Sequence, residues 1–185
     1  LEMPYPVSIQ VVDHPMVNAF ALPGGHVILM KGLVEAAESP DEIAAVLAHE
    51  LAHVAHRDPI RLTMRAAGTA GMLSLLFGDA TGATLITVVG EQLLNSSYSR
   101  QAEAEADAYA IETLQRLNLS PEAMAVFFDR LAENTHDHSN FFALISTHPA
   151  LARRAAAARA AFEDRTYDII LDETDWAALR SICDA

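Results

Sequence analysis

The chain is 185 residues long, the size of one domain, and enough to bury roughly 70% of its extended surface without a disulfide. Its residues are 51% hydrophobic and 20% charged, which excludes a disordered segment. Twelve Lys and Arg stand against 25 Asp and Glu, giving a net charge of −13 and a pI near 4.8. That balance repels phosphate backbones and excludes a nucleic-acid partner. It also excludes electrostatic docking on an anionic bilayer, while leaving open apolar contact with a membrane or membrane protein. The single Cys183 permits neither an internal disulfide nor a CxxC site, so any metal must be held by His and carboxylates.

The first six residues carry neither the basic nor the apolar stretch of a secretory signal. The chain does not open on Met, and the expectation is a single domain, residues 1–185, excised from something longer. Residues 7–12 alternate and are rich in β-branched types, and residues 18–22 read as a short strand. Pro23-Gly24-Gly25 is a turn, and residues 26–30 alternate like an exposed edge strand. Beyond that point the sequence is helical. Ser39-Pro40-Asp41-Glu42 is a capping box with Pro in the first helical position, opening a helix that runs to about Arg57. Residues 66–90 are apolar, but Gly68, Gly71, Gly78, Asp79, Gly82 and Gly90 interrupt them. A membrane span wants about 20 unbroken apolar residues, so the stretch reads as two helices, buried or forming a lid. Further helices are expected over residues 97–117, from Ser120 to about residue 134, and from Thr174 onward; the Ala run at 155–161 favours helix as well. The predicted fold class is helix-dominated α+β with a small sheet.

The chemistry sits in His49-Glu50-Leu51-Ala52-His53. Two His at i and i+4 project from one helical face about 6 Å apart, so both imidazoles reach one metal ion. Glu50 lies one residue round the helix from His49, placed to contact water without ligating. The helix around it is apolar nearly all round, and burying two imidazoles and a carboxylate there costs several kcal/mol unless something pairs them. A catalytic zinc takes three protein ligands and keeps one position open. A His at the offset of the HExxHxxGxxH pattern is absent, since that position is Pro59. His56 points about 60° away from His53 and reads as a surface residue. Glu103 and Asp107 share a face of a second helix at i and i+4; one can ligate while the other accepts the free ring N–H of a ligating His. Glu105 falls on the opposite, solvated face.

These segments, HELAH followed by SRQAEAEAD, resemble the gluzincin family that includes the CAAX prenyl endopeptidases and the HtpX- and BepA-type envelope proteases. Residues 18–25 look like that family's segment before its active-site edge strand, Gly32-Leu33 follows as its pattern expects, and Ser146-Thr147-His148-Pro149 resembles its downstream motif. Ala155 departs from the pattern, which has a larger apolar residue there. The resemblance covers about residues 7–154 and lies nearest the BepA-like branch, because strongly apolar paired membrane helices are missing. It implies a zincin-like domain with a small sheet over the HExxH helix, holding one Zn2+ per chain. It implies Glu103 as third ligand to the zinc beside His49 and His53, with Asp107 orienting His49. It brings His148 near the zinc, as a removable fourth ligand or as a donor to the oxyanion.

The expected activity is a zinc metalloendopeptidase acting on extended or misfolded protein segments, with Glu50 as general base. The resemblance adds envelope or membrane-protein quality control and a bacterial-type cell envelope location. The strand at residues 26–30 is expected to accept the substrate as an added strand. Two competing readings are a zinc-holding chaperone without cleavage, against which an intact Glu50 counts, and a zinc hydrolase of non-peptide substrates.

Overall fold

The computed structural model describes residues 3–77, 98–133, 144, 147, 148 and 150–184, with backbone only at 70 and 73–77. Three short strands, β1 (Ser8–Val12), β2 (Ala19–Leu22) and β3 (His26–Met30), form one sheet in the order β1-β3-β2. β1 runs parallel to β3, with Ser8 opposite His26, and β2 runs antiparallel to it, with Ala21 opposite Val27. The turn between β2 and β3 works because Gly24 and Gly25 take φ near 89° and 87°, a region side chains avoid. A Cβ at Gly25 would also lie 2.3 Å from the Pro6 carbonyl oxygen.

The sheet order corrects one expectation. β3 is the central strand, paired on both sides, so residues 26–30 offer no open edge to a peptide. Its alternation reflects two unequal faces of a covered strand, with Val27 and Leu29 in the core; periodicity reports faces and is silent on edges. Among the described residues β2 pairs with no second strand, and it is the sheet edge nearest the helices. Met30 N–H donates to the Asn18 carbonyl, so in this antiparallel pair Phe20 and Leu22 face β3 as well. The N–H groups of Ala19 and Ala21 therefore point away from it.

Directly after β3 comes α1 (Lys31–Ala36), too short for its periodicity to register in the sequence. Gly32 opens it, because a Cβ there would stand 2.2 Å from the Pro15 carbonyl oxygen. α2 (Pro40–Ala55) starts as read, with Ser39 Oγ accepting from the Glu42 N–H. It buries Ile43, Ala45, Val46, Ala48, Ala52 and Val54 between β2 on one side and the helices below on the other. Arg57, at φ 59°, ends α2 and turns the chain into α3 (Asp58–Phe77). This helix begins eight residues before the expected start at 66, because the left-handed Arg57 and Pro59 reset the chain at once. Residues 78–90 lie outside the described residues. Among the described residues, no helix is long and apolar enough to cross a membrane.

α4 (Arg100–Arg116) begins at Ser99, whose Oγ accepts from the Ala102 N–H, and packs along α2. α5 (Glu122–Glu133) buries Met124, Phe127, Phe128 and Leu131, and α6 (Leu151–Ala160) lies against it. α7 (Glu173–Arg180) is capped by the Asp172 carboxylate and leans Trp176 and Leu179 on the core. The chain is thus helix-dominated α+β, with a three-stranded sheet against the helix that carries His49 and His53.

Candidate metal centre

α2, α4 and the segment before α6 meet at one buried point. The Nε2 atoms of His49 and His53 lie 3.1 Å apart, with the rings perpendicular. From α4, Glu103 sets Oε1 3.3 Å from His53 Nε2 and Oε2 3.7 Å from His49 Nε2. His148 Nδ1 stands 3.2 Å from His49 Nε2 and 3.0 Å from Glu103 Oε1. All four side chains are buried, and each offers one donor atom within 4.8 Å of the others. With ligand distances near 2.05 Å, the edge of a tetrahedral zinc site is about 3.3 Å. The spacings fall around that value.

The rings' other nitrogens show why a cation belongs there. His49 Nδ1 lies 3.0 Å from Asp107 Oδ1, and His53 Nδ1 lies 3.0 Å from Asp58 Oδ2. A carboxylate only accepts, so His53 Nδ1 carries a hydrogen, while His49 Nδ1 faces both the Asp107 acceptor and the Arg154 Nη2 donor at 3.0 Å; with the hydrogen on Nδ1 in both neutral rings, each turns a bare Nε2 lone pair toward the other. Two lone pairs facing at 3.1 Å repel unless a cation sits between them. The charges agree. Glu50, Glu103 and Asp107 are buried, and among the described residues the Arg154 guanidinium is the one permanent cation beside them, which leaves two negative charges uncompensated when the imidazoles are neutral; Asp58 has its own cation in Arg61. A divalent ion with neutral imidazoles balances the site, and the nitrogen and carboxylate donors suit zinc.

The titration of the metal-free groups follows from the same contacts. Burial alone lowers the His53 pKa, but hydrogen bonds to Asp58 and Glu103 raise it to about 9. A proton on His53 thus occupies the space between the facing nitrogens. His49 is pushed well down by burial and the charge of Arg154. Burial pushes Glu103 up, yet hydrogen bonds from His148 and His53 hold it far below the usual carboxylate range. Glu50 is fully buried, and burial raises its pKa against the opposing pull of His148 and His53. Neither of its oxygens has a hydrogen-bond partner, although the Ala21 backbone on the open edge of β2 lies near enough to favour its charge. Its Oε1 stands 3.4 Å from His148 Nε2. A carboxylate buried without a bonded partner, with a raised pKa, is poised to take up a proton.

The structure therefore brings together His49, Glu50, His53, Glu103, Asp107 and His148. It leaves His56 outside the group, half-buried with its ring edge toward Tyr109, and Glu105 exposed and bonded to Gln101. Sequence reasoning missed Arg154. This residue is 3% exposed. Its Nε donates to both Asp107 oxygens at 3.0 and 2.9 Å, and Nη2 lies 2.8 Å from Oδ1. Nη1 reaches Glu103 Oε2 at 3.1 Å and the His148 carbonyl at 3.4 Å, while the guanidinium lies over the Phe128 ring. The signal was present: Leu151, Arg154, Ala155 and Ala158 share the buried stripe of α6, and an Arg on such a stripe needs an acidic partner.

Comparison with known proteins agrees with this geometry. The chain is 31% identical to the β-barrel assembly-enhancing protease of Escherichia coli over 165 residues, covering 83% of this chain and 34% of that protein. It is 32% identical to the metalloprotease LoiP of the same species, covering 81% of this chain and 60% of the relative. It is 30% identical to the mitochondrial metalloendopeptidase OMA1 of Bos taurus, covering 80% and 31%. The chain thus spans about a third of the length of the assembly-enhancing protease it matches. Residues 1–161 match the profile of peptidase family M48. With the buried His-His-Glu-His group placed for a metal ion, the chain belongs to peptidase family M48 and is a metallopeptidase.

Proposed function

We propose that residues 1–185 form one zinc metalloendopeptidase catalytic domain, with one zinc per chain held by His49, His53 and Glu103. The observation that carries the reading is the convergence of those three donors beside a buried carboxylate, Glu50, whose nearest titratable neighbour among the described residues is His148, 3.4 Å away. Zinc there supplies Lewis-acid polarisation of water and of the scissile carbonyl. Glu50 accepts the proton of the attacking water and passes it to the leaving amine. Its burial and raised pKa suit both halves of that transfer. Asp107 holds His49 with its Nδ1–H inward, and Arg154 keeps Asp107 and Glu103 charged and fixed. His148, whose nitrogens lie within reach of both Glu103 and Glu50, takes the fourth place in the resting site or donates to the oxyanion. The substrate is an extended protein segment that adds to the outer edge of β2, displacing the Asn18 side chain from the Ala19 N–H. That edge lies beside Glu50.

The names of the relatives support a role in envelope protein quality control, including barrel-assembly substrates and contact with a membrane or membrane protein. Metal analysis together with casein cleavage by the wild type and Glu50→Gln tests the reading. Zinc near one equivalent, with cleavage only in the wild type, is the expected result. Zinc retained without cleavage in either protein would favour a zinc-holding chaperone instead.

A further inference from the structure

α2 ends at His56, and Arg57 turns the chain at φ 59°, so the first residue of α3 comes back beneath the second histidine of the motif. That residue is Asp58, 6% exposed. Its Oδ2 lies 3.0 Å from His53 Nδ1, and its Oδ1 accepts from Arg61 Nη1 at 3.1 Å, one turn along α3. The face of the His53 ring is covered as well. Tyr98 stacks on it with centroids 3.8 Å apart and planes 17° from parallel.

We propose that Asp58 is a positioning residue for the metal site, acting through His53 as Asp107 does through His49. The inference rests on the metal reading above. The carboxylate fixes the hydrogen on Nδ1, leaves Nε2 bare for the ion and stops the ring rotating about its Cβ–Cγ bond; Tyr98 blocks tilting. Arg61 holds the second carboxylate oxygen, so the acceptor cannot swing away from the ring. The two histidines are then each held by a carboxylate from a different helix, α3 for one and α4 for the other. This explains an acid at the fifth residue after the second motif histidine, where a helix start alone would accept Ser or Thr equally well.

A purely structural Asp58 would only start α3, its charge favoured at the helix N-terminus. Zinc competition against a chromogenic chelator, with thermal melts on the same samples, separates the two roles in the 185-residue chain. Asp58→Ala should weaken zinc binding about 10–100-fold, the usual loss when the partner of a ligating histidine is removed. Asp58→Asn keeps an acceptor and the shape, and should restore most of that loss. Arg61→Gln should fall between wild type and Asp58→Ala. Zinc affinity within threefold of wild type in Asp58→Ala, whatever its melting temperature, would overturn the proposal. The same result in Asp58→Asn alone supports it when Asp58→Ala is weak. If Asp58→Ala does not fold, an Asp58→Asn affinity unchanged together with an unchanged Arg61→Gln would overturn it, and a graded loss across the two would support it. A wild type that binds no zinc removes the metal reading and this inference together, and is distinguished by the wild-type titration alone.

Discussion

Arg154 offers the sharpest test of how this site is held together. Replacing it with Met keeps the length of the side chain and its packing on Phe128 but removes the charge. Asp107 then loses three contacts of 3.0 Å or less, and Glu103 loses its only guanidinium. Both carboxylates are buried, so the loss is that of an uncompensated buried charge, about 3–5 kcal/mol. For a domain of this size each kcal/mol shifts the melting temperature by about 2–4 °C, and the metal-free Arg154→Met protein should melt about 6–20 °C below wild type. With zinc bound the drop should shrink, because the ion supplies positive charge beside the same carboxylates. Calorimetric melts in chelator and in zinc read both numbers. A second substitution isolates one partner: Asp107→Asn added to Arg154→Met should recover part of the loss, since it removes the orphaned charge at Asp107 and leaves only that at Glu103. A metal-free Arg154→Met protein that melts within about 3 °C of wild type would refute the charge balance drawn above.

Other measurements follow from the same geometry. Glu50→Gln should keep zinc and fold but lose at least about a hundredfold in turnover, the usual span for a removed general base; unchanged proteolysis would end that role. For His148→Ala the sign decides between its two roles: faster cleavage with zinc retained marks a resting fourth ligand, and a loss of about 10²–10³ marks an oxyanion donor. Turnover within twofold of wild type would sink both. The pH dependence centres on His53. Its pKa in the metal-free fold, about 9, lies above the ordinary 6.5, so the proton stabilises that fold fully below about pH 6.5, and the stabilisation fades as pH rises through 9. Melting temperature in chelator should therefore fall across that window, while zinc affinity rises by up to about tenfold per pH unit as the displaced proton becomes easier to remove. A flat or rising metal-free melting temperature over that range would contradict the His53 assignment.

Much of the fold was legible because it is written locally. The serine caps at Ser39 and Ser99 use hydrogen bonds spanning three residues, and the glycine turn after β2 needs only its own φ values. The elements that escaped were those set by distant partners. α1 is six residues long and depends on Gly32 meeting Pro15. Strand order depends on which edges find partners, and alternation in residues 26–30 says nothing of that. In the site, His49, His53, Glu103 and Asp107 announce themselves by four-residue helical spacing. Arg154 is 47 residues from Asp107 and 105 from His49, and its role exists only once α6 is laid beside α4. Asp58 lies five residues after His53, yet the left-handed Arg57 between them hides that nearness from any helical projection.

One stretch of chain links the two least symmetric parts of the site. His148 and Arg154 lie on either side of Ala150, which holds φ 70° and caps α6 with its carbonyl, accepting from the Arg154 N–H. A left-handed alanine costs about 1–2 kcal/mol, and the contacts on both sides hold it there. Arg154 Nη1 also donates to the His148 carbonyl, so the imidazole nearest the donor group and the cation behind the ligands are tied through one backbone segment. A shift of the His148 backbone would therefore carry to Arg154, and through it to Asp107 and His49. The fourth ligand proposed above is in this way tied to the other three proposed ligands through one backbone segment. Substitutions at Ala150 should for that reason alter zinc affinity and His148 mobility together, which two independent positions would not do.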